Sequence, residues 1–208
     1  MTMYDARMVG ALTLALQGGR SLALPARTRA SRLDVREGAA FFARARAVID
    51  GGRLREEASF CQHGTTSTLL HSVAVAYCAV AIARSRGDDA CVDEVCRAGL
   101  LHDYYLYDWH DAAPEHRGHA TRHPARALAN AVADYPDLTE RERDAIASHM
   151  FPLTRAPRTR VGWYVTVADK LCAAYETRVR GSRVAYPRLR ALCGRHLPGV
   201  RLDAPAEA

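Results

Sequence analysis

The chain has 208 residues, of which 49% are hydrophobic and 25% are charged, and its mean hydropathy is −0.21. That length supplies one sizeable core and is marginal for two. The composition is that of an ordinary soluble protein, and no internal repeat or low-complexity tract interrupts the sequence. These properties argue against a fibrous or repetitive architecture.

The net charge is +6 and the pI is about 9.2, with arginine carrying nearly all of the positive charge. Arginine binds phosphate through a bidentate fork, so this balance fits an anionic substrate or nucleic acid. A GC-rich genome that favours arginine codons explains the same excess equally well. No basic block with interleaved aromatic residues is present, so we expect no nucleic-acid partner.

Six cysteines are scattered along the chain without a Cys-x-x-Cys pair, and most lie in apolar runs. This usage is typical of reduced core residues and indicates a cytoplasmic protein. The first twenty residues, "MTMYDARMVGALTLALQGGR", lack a basic start, and their apolar stretch is short and interrupted. We therefore expect neither a signal peptide nor membrane association.

The pattern is helical nearly throughout, which predicts an all-α, single-domain bundle. A helical extension over residues 1–58, with a loop at "GGRSLALPARTR", is expected to pack on a core over residues 59–182. A C-terminal helix and tail follow over residues 183–208. Within the core, "TSTLLHSVAVAYCAVAIAR" is apolar on nearly all sides and predicts a buried central helix over residues 66–84. The next helix is expected over residues 92–102.

Residues 108–122 are polar and rich in histidine and aromatic residues, which predicts a loop. Because proline suits the first position of a helix, Pro124 places His123 at the N-cap of the helix that follows. A capping box of Thr139 and Glu142 predicts another helix, ending near residue 149. After the connector "FPLTRAPRTR", a long helix is predicted over residues 161–180, and a short one near the C-terminus over residues 187–197.

Five of these helices each bring an imidazole, a carboxylate or both into apolar surroundings. In chain order the residues are His71, the doublet His102-Asp103, His123, His149 and Asp169. Burying such polar groups unpaired costs about 2–7 kcal/mol each, so the six must satisfy one another. A divalent metal neutralises carboxylates and accepts imidazole lone pairs. We therefore expect a divalent transition metal, from among Fe, Mn, Co, Ni and Zn.

Alternatives remain at this point. A single buried histidine is more often a hydrogen-bonded core residue than a metal ligand. Asp169, taken alone, would more readily form an ion pair with an arginine. The ordered set, with one position on each helix, is what favours a metal site.

The three segments "LLHSVAVA", "AGLLHDYY" and "VADKLCA" resemble the core motifs of the HD-domain metal-dependent phosphohydrolases. The resemblance covers roughly residues 60–180. "RHPARAL" is similar to a segment of the subfamilies that hold two metals, and "AIASHMFPL" is similar to a segment of the HD-type diadenosine tetraphosphate hydrolases. The sequence "DYYLYDWH" after the doublet matches no pattern that identifies a substrate, and no GYP motif is present.

The resemblance implies an HD domain over residues 59–182 that hydrolyses a phosphoester or phosphoanhydride through a metal-activated water. It implies one metal on His71, His102, Asp103 and Asp169, and a second on His123 and His149, with Asp103 shared. The substrate would be a small phosphorylated molecule, in the first place a nucleotide.

Candidate catalytic residues are Asp103, Lys170 and His63. Lys170 follows Asp169 and is expected to reach a phosphate or the metal-activated water, although on a regular helix its side chain points about 100° away. His63 would face the site from a loop or be exposed.

Further candidates are weaker. His119 is an alternative to His123 as a ligand, while His110 and His116 are expected at the surface. Phosphate-binding candidates are Arg117, Arg122 and Arg155. Trp109 and Tyr105 would either stack on a base or, as we favour, pack in the core.

Three other readings use the same residues. A di-iron oxygenase on this scaffold needs the same histidines and aspartates. A non-catalytic nucleotide-binding module does not need an open metal position, and the intact ligand set argues against it. In a purely structural bundle, the histidines would merely pair internally.

Overall fold

The structure is a computed structural model that describes residues 33, 35–63, 66–111, 113, 117–179 and 185–203. Seven α-helices make up most of this part of the chain. They are α1 (Val35–Gly51), α2 (Thr68–Ser85), α3 (Val92–Leu101), α4 (His119–Asp134), α5 (Glu140–Ser148), α6 (Arg160–Val179) and α7 (Pro187–His196). The all-α, single-domain prediction is confirmed, whereas the domain boundaries and the helices expected over residues 1–32 stay predictions, the latter outside the described residues.

The shorter elements lie between these helices. Two 3₁₀ helices span Leu54–Ser59 and Asp89–Cys91. A hairpin of strands β1 (Cys61–His63) and β2 (Thr66–Ser67) pairs antiparallel just before α2, and a bridge joins Thr66 to Asp203. This hairpin is not predicted from the sequence, and the loop expected at His63 is wrong because the backbone of that residue belongs to β1.

Helix α2 forms the centre of the bundle, as predicted. Its N-cap is Ser67, whose hydroxyl accepts a hydrogen bond from the Leu70 backbone N–H at 3.1 Å. Nearly all of its residues are buried, and it packs against α3 on one side and α6 on the other. By length and composition alone α2 could also cross a membrane, but 83% of it is buried inside the protein, as in the core helix of a folded domain.

The contact between α2 and α3 is unusually close at one point. A Cβ built on Gly99 would lie 2.7 Å from the Cα of Ala76, so only glycine fits there. The two helix backbones therefore approach each other directly. This approach brings the end of α3 alongside the middle of α2.

The start of α4 differs from the prediction. The helix begins at His119 with Gly118 at its N-cap, so the loop assigned to residues 108–122 is too long and His123 is not an N-cap. Pro124 lies inside the helix rather than at its first position. His123 Nδ1 lies 3.0 Å from the carbonyl oxygen of His119, one turn earlier, which fixes its ring against the helix.

The capping box that begins α5 is confirmed. The Thr139 hydroxyl accepts from the Glu142 N–H, and the Glu142 carboxylate accepts from the Thr139 N–H. The connector after α5 is held by the buried Asp144, which accepts from the backbone N–H groups of Arg158 and Thr159 at 2.9 and 3.0 Å. The connector thus turns tightly from α5 into α6.

Candidate metal centre

The six residues singled out in the sequence lie together in the core. His71 is on α2, His102 and Asp103 directly follow α3, His123 is on α4, His149 follows α5 and Asp169 is on α6. None of the six is more than 5% exposed. Five separate helices therefore deliver one polar cluster, named here the His/Asp cluster.

One half of the cluster surrounds the Asp169 carboxylate. Its Oδ1 lies 3.3 Å from His71 Nε2 and 3.9 Å from His102 Nε2. The three ligand atoms all lie within 4.8 Å of one another, close enough to share one metal ion.

The other half is centred on Asp103. Its Oδ1 lies 3.1 Å from His123 Nε2 and 3.4 Å from His149 Nε2, while its Oδ2 lies 3.4 Å from His102 Nε2. The ligand atoms of His102, Asp103 and His149 also fall within 4.8 Å of one another. Asp103 thus directs one oxygen towards each half of the cluster.

All four imidazoles turn the same nitrogen inwards, because an acceptor lies behind each ring. His102 Nδ1 lies 2.8 Å from the carbonyl oxygen of Gly99, and His149 Nδ1 lies 2.9 Å from that of Ile146. His71 Nδ1 faces the carboxylate of Glu176 at 2.9 Å. A proton held at Nδ1 leaves the Nε2 lone pair directed into the cluster. This Nδ1-protonated tautomer is one that binds a metal through Nε2.

The donor set fits a divalent metal. His123 and His149 place their Nε2 atoms 2.8 Å apart, and both Nδ1 atoms face carbonyl oxygens, which only accept. Two lone pairs then lie side by side, which is unfavourable unless both are directed at a shared cation. Within the described residues, His102 Nε2 and Asp103 Oδ1 are buried without a hydrogen bond. Buried polar atoms left in this way are costly unless an unseen ligand satisfies them.

The electrostatics of the cluster favour cations. Burial opposes the charged form of Asp103, yet the adjacent imidazoles, His102 foremost, hold the pKa of its carboxyl well below the usual range. Burial lowers the pKa of His149 to about 4. For His71 burial acts in the same direction, but Glu176 and Asp169 outweigh it and raise the pKa of the ring well above its ordinary value. The buried carboxylates of the cluster thus favour positive charge at this place.

Comparison with protein-family models identifies an HD domain over residues 68–174, just over half of the chain. The chain belongs to the HD domain family. Comparisons with curated proteins and with solved structures find no match for this HD domain. The family assignment therefore rests on the matched segment and on the buried cluster.

The catalytic candidates of the HD domain lie at different distances from its cluster. Asp103 is central to it. Lys170 Nζ lies 2.7 Å from Asp169 Oδ2, so the lysine reaches back to the aspartate although it is 44% exposed in its side chain. Lys170 is the single lysine of the sequence. The side chain of His63 lies outside the described part, so its role stays a prediction, as do the ligand roles of the six residues.

The weaker candidates of the HD domain have other partners. His119 Nδ1 lies 2.9 Å from the Tyr107 hydroxyl, and its ring stacks on His123 at 4.5 Å. Trp109 stacks on His119 at 5.1 Å, while Tyr105 is buried in the core. His110 is exposed and forms a hydrogen bond with Asp108. Among the arginines, Arg117 and Arg122 are exposed, and Arg155 forms an ion pair with Asp144 at 2.6 Å. His116 lies outside the described residues.

Sequence reasoning missed two groups beside the cluster. Gln62 on β1 donates to Asp103 Oδ2 at 2.9 Å and accepts from the Tyr105 hydroxyl at 2.8 Å. Glu57 is fully buried, accepts from Ser72 Oγ at 3.1 Å and leaves its Oε1 without a hydrogen bond in the described part of the HD domain. Gln62 belongs to the hairpin that was not predicted, and Glu57 follows another glutamate in an apparently solvated stretch.

Proposed function

We propose that this HD domain is a metal-dependent phosphohydrolase that cleaves a phosphoester or phosphoanhydride of a small phosphorylated substrate. The observation that carries the proposal is the convergence of four imidazole Nε2 atoms and two carboxylates in a buried cluster. Membership of the HD domain family supports it.

The cluster offers two adjoining metal positions. One metal would be held by His71, His102 and Asp169. The other would be held by Asp103, His123 and His149. His102 and Asp103 lie between these two groups. Bound divalent metals at such sites lower the pKa of a water and polarise phosphoryl oxygens. Asp103 suits a shared position because its two oxygens already point to different groups of imidazoles.

The surrounding residues define how a substrate approaches. His71 and His102 are completely buried, whereas Asp169 is 5% exposed and adjoins the half-exposed Lys170. Asp103 and His123 are 3% and 4% exposed, so Lys170 is one solvent-facing neighbour of the cluster. The Lys170 ammonium has donors to spare beyond Asp169 and would bind a phosphoryl oxygen there, neutralising charge as the phosphorus–oxygen bond breaks.

The nucleotide class of substrate is part of the proposal. It is supported by the similarity of "AIASHMFPL" to HD-type diadenosine tetraphosphate hydrolases and by the basic balance of the chain. The protein is proposed to act in the cytoplasm without nucleic-acid or membrane partners.

The test combines elemental analysis with an activity screen. Purified protein, loaded with Mn²⁺, Fe²⁺, Co²⁺, Ni²⁺ or Zn²⁺ in turn, is assayed for phosphate release from p-nitrophenyl phosphate, nucleoside phosphates and dinucleoside polyphosphates. We expect bound metal and metal-dependent hydrolysis of at least one class. Bound iron with oxygen uptake and no phosphate release would favour an oxygenase instead, and absence of bound metal would remove the proposal.

A further inference from the structure

The carboxylate behind His71 comes from the far end of α6. Glu176 lies two turns beyond Asp169 on that helix and is 1% exposed. Its two oxygens lie 2.9 and 3.1 Å from His71 Nδ1, while His71 Nε2, on the opposite side of the ring, lies 3.3 Å from Asp169. The imidazole is thus held between two carboxylates of one helix.

Glu176 is held in turn by Tyr186. The Tyr186 hydroxyl donates to Glu176 Oε1 at 2.6 Å, and the side chain is completely buried. Tyr186 is the N-cap of α7 and has a left-handed backbone, with φ 56° and ψ 48°. A bulky residue in that region is strained, and such strain persists where surrounding contacts over-determine it. The buried hydroxyl bond to Glu176 is such a contact.

We propose that Glu176 and Tyr186 are positioning residues that set the metal affinity of the cluster by acting through His71. The carboxylate orients the ring, fixes its proton at Nδ1 and strengthens the Nε2 donor. The inference rests on the proposed function, because it concerns the same metal site. It extends that site to α6 and α7 residues beyond the matched segment, which ends at residue 174.

The surroundings of Glu176 favour this role over a purely structural one. Its ion-pair and hydrogen-bond partners among the described residues are His71 and Tyr186, with no arginine or lysine. A buried carboxylate without such a cation is an expensive way to fill space, since an apolar side chain of similar volume packs without desolvation cost. The contact of the Glu176 carboxylate with His71 Nδ1 explains why a carboxylate occupies this place.

The test measures metal affinity in the full chain. Glu176→Gln keeps the shape and an acceptor for His71 Nδ1 but removes the charge; Tyr186→Phe removes only the hydroxyl. Tyr175→Phe is the matched control, because the Tyr175 ring packs on Tyr186 at 4.9 Å and, among the described residues, its hydroxyl bonds only with the Tyr186 backbone N–H, accepting at 3.5 Å. Zn²⁺ is titrated into each protein in competition with a chromophoric chelator.

We expect Glu176→Gln to weaken Zn²⁺ binding about 10- to 100-fold. Tyr186→Phe should weaken it by a smaller factor, and Tyr175→Phe should stay within about twofold of the wild type. The visible absorption spectrum of the protein saturated with Co²⁺ should shift in Glu176→Gln and not in the control, because the donor strength of His71 changes.

Affinities and cobalt spectra equal to those of the wild type in Glu176→Gln and Tyr186→Phe would overturn the inference and leave the metal site in place. Equal losses in all three variants, tracking a fall in the thermal midpoint of the metal-free protein, would also overturn it in favour of a structural role. Failure of the wild type itself to bind Zn²⁺ or Co²⁺ would instead remove the proposed function together with this inference.

Discussion

His123 and His149 point their Nε2 atoms at each other across 2.8 Å, each with its Nδ1 against a helical carbonyl. The two rings come from α4 and from the residue that follows α5. This arrangement predicts that they serve a metal position of their own. His149→Ala should then lose one bound metal and keep the other, which metal-to-protein ratios from elemental analysis will measure. An unchanged metal-to-protein ratio in His149→Ala would mean that His149 supports no metal position of its own.

The doublet should be indispensable. We expect His102→Ala and Asp103→Asn to lose bound metal and to reduce phosphate release to background, because both residues take part in both halves of the cluster. His110→Ala is the control, since its side chain is 44% exposed and lies against Asp108 outside the cluster. Wild-type activity in either doublet variant would refute the assignment of the site.

Lys170 should matter for phosphorylated substrates more than for folding. Lys170→Gln removes the cation beside Asp169, and we expect kcat/KM to fall by about tenfold or more. The thermal midpoint should hardly change, because the side chain is half exposed. Arg160→Gln removes another ion-paired cation of the same helix, 3.3 Å from Asp88, and should leave kcat/KM unaltered. Similar kinetic effects in both variants would point to general electrostatics rather than a contact with substrate.

Glu57 should make stability fall as pH rises. Burial and the charge of Asp103 raise the pKa of Glu57 well above its ordinary value of 4.5. The folded state therefore holds the proton to higher pH than the unfolded state, and the stability from the neutral acid is lost progressively above 4.5. Glu57→Gln stays neutral, so its stability relative to the wild type should grow with pH, by up to about 1.4 kcal/mol per unit.

Urea denaturation of metal-free protein at pH 5 and pH 8 measures this difference. Glu56→Gln, an exposed neighbour in the same 3₁₀ helix, provides the control. A stability difference between wild type and Glu57→Gln that does not change between the two pH values would show that Glu57 is ionised in the folded protein.

The close approach of α2 and α3 can be tested at Gly99. Gly99→Ala places a methyl 2.7 Å from the Ala76 Cα, and such overpacking costs about 1–3 kcal/mol, which outweighs the gain in helix propensity. Gly194→Ala on α7 meets nothing within 4 Å and should leave the protein as stable or more so. The denaturant midpoints of Gly99→Ala and Gly194→Ala are compared. Equal midpoints would mean that α3 shifts on α2 to accommodate the methyl group at little cost in stability.

The sequence predicts the cluster well where polar residues interrupt apolar helices. His71 amid "LLHSVAVA" and Asp169 amid "VTVADKLCA" have no good partner within their own helices, so their surroundings identify them. Glu176 and Tyr186 carry no such signal: "AAYETRV" reads as the end of a solvated helix, and Tyr186 precedes a proline. Their burial depends on how α7 packs against the bundle, which is tertiary information.

The beginning of α4 differs from the sequence prediction for a related reason. The preference of proline for the first position of a helix predicts a start at Pro124, yet the helix starts five residues earlier. His123 directly precedes the proline, and its ring is bonded to the His119 carbonyl one turn earlier. The preference of proline for the first helical position is overridden because the cluster requires the His123 imidazole at a position inside the helix.

The backbone contact at Gly99 and Ala76 also bears on how ions enter and leave. The backbones of α2, which carries His71, and α3, which leads into His102, are in direct contact. That side of the cluster is therefore tightly packed. Widening for ion exchange is then left to α4, α5 and α6, of which the first two bring in His123 and His149 and the third brings in Asp169. Of two ions, the one held by both His123 and His149 should therefore dissociate first in a chelator.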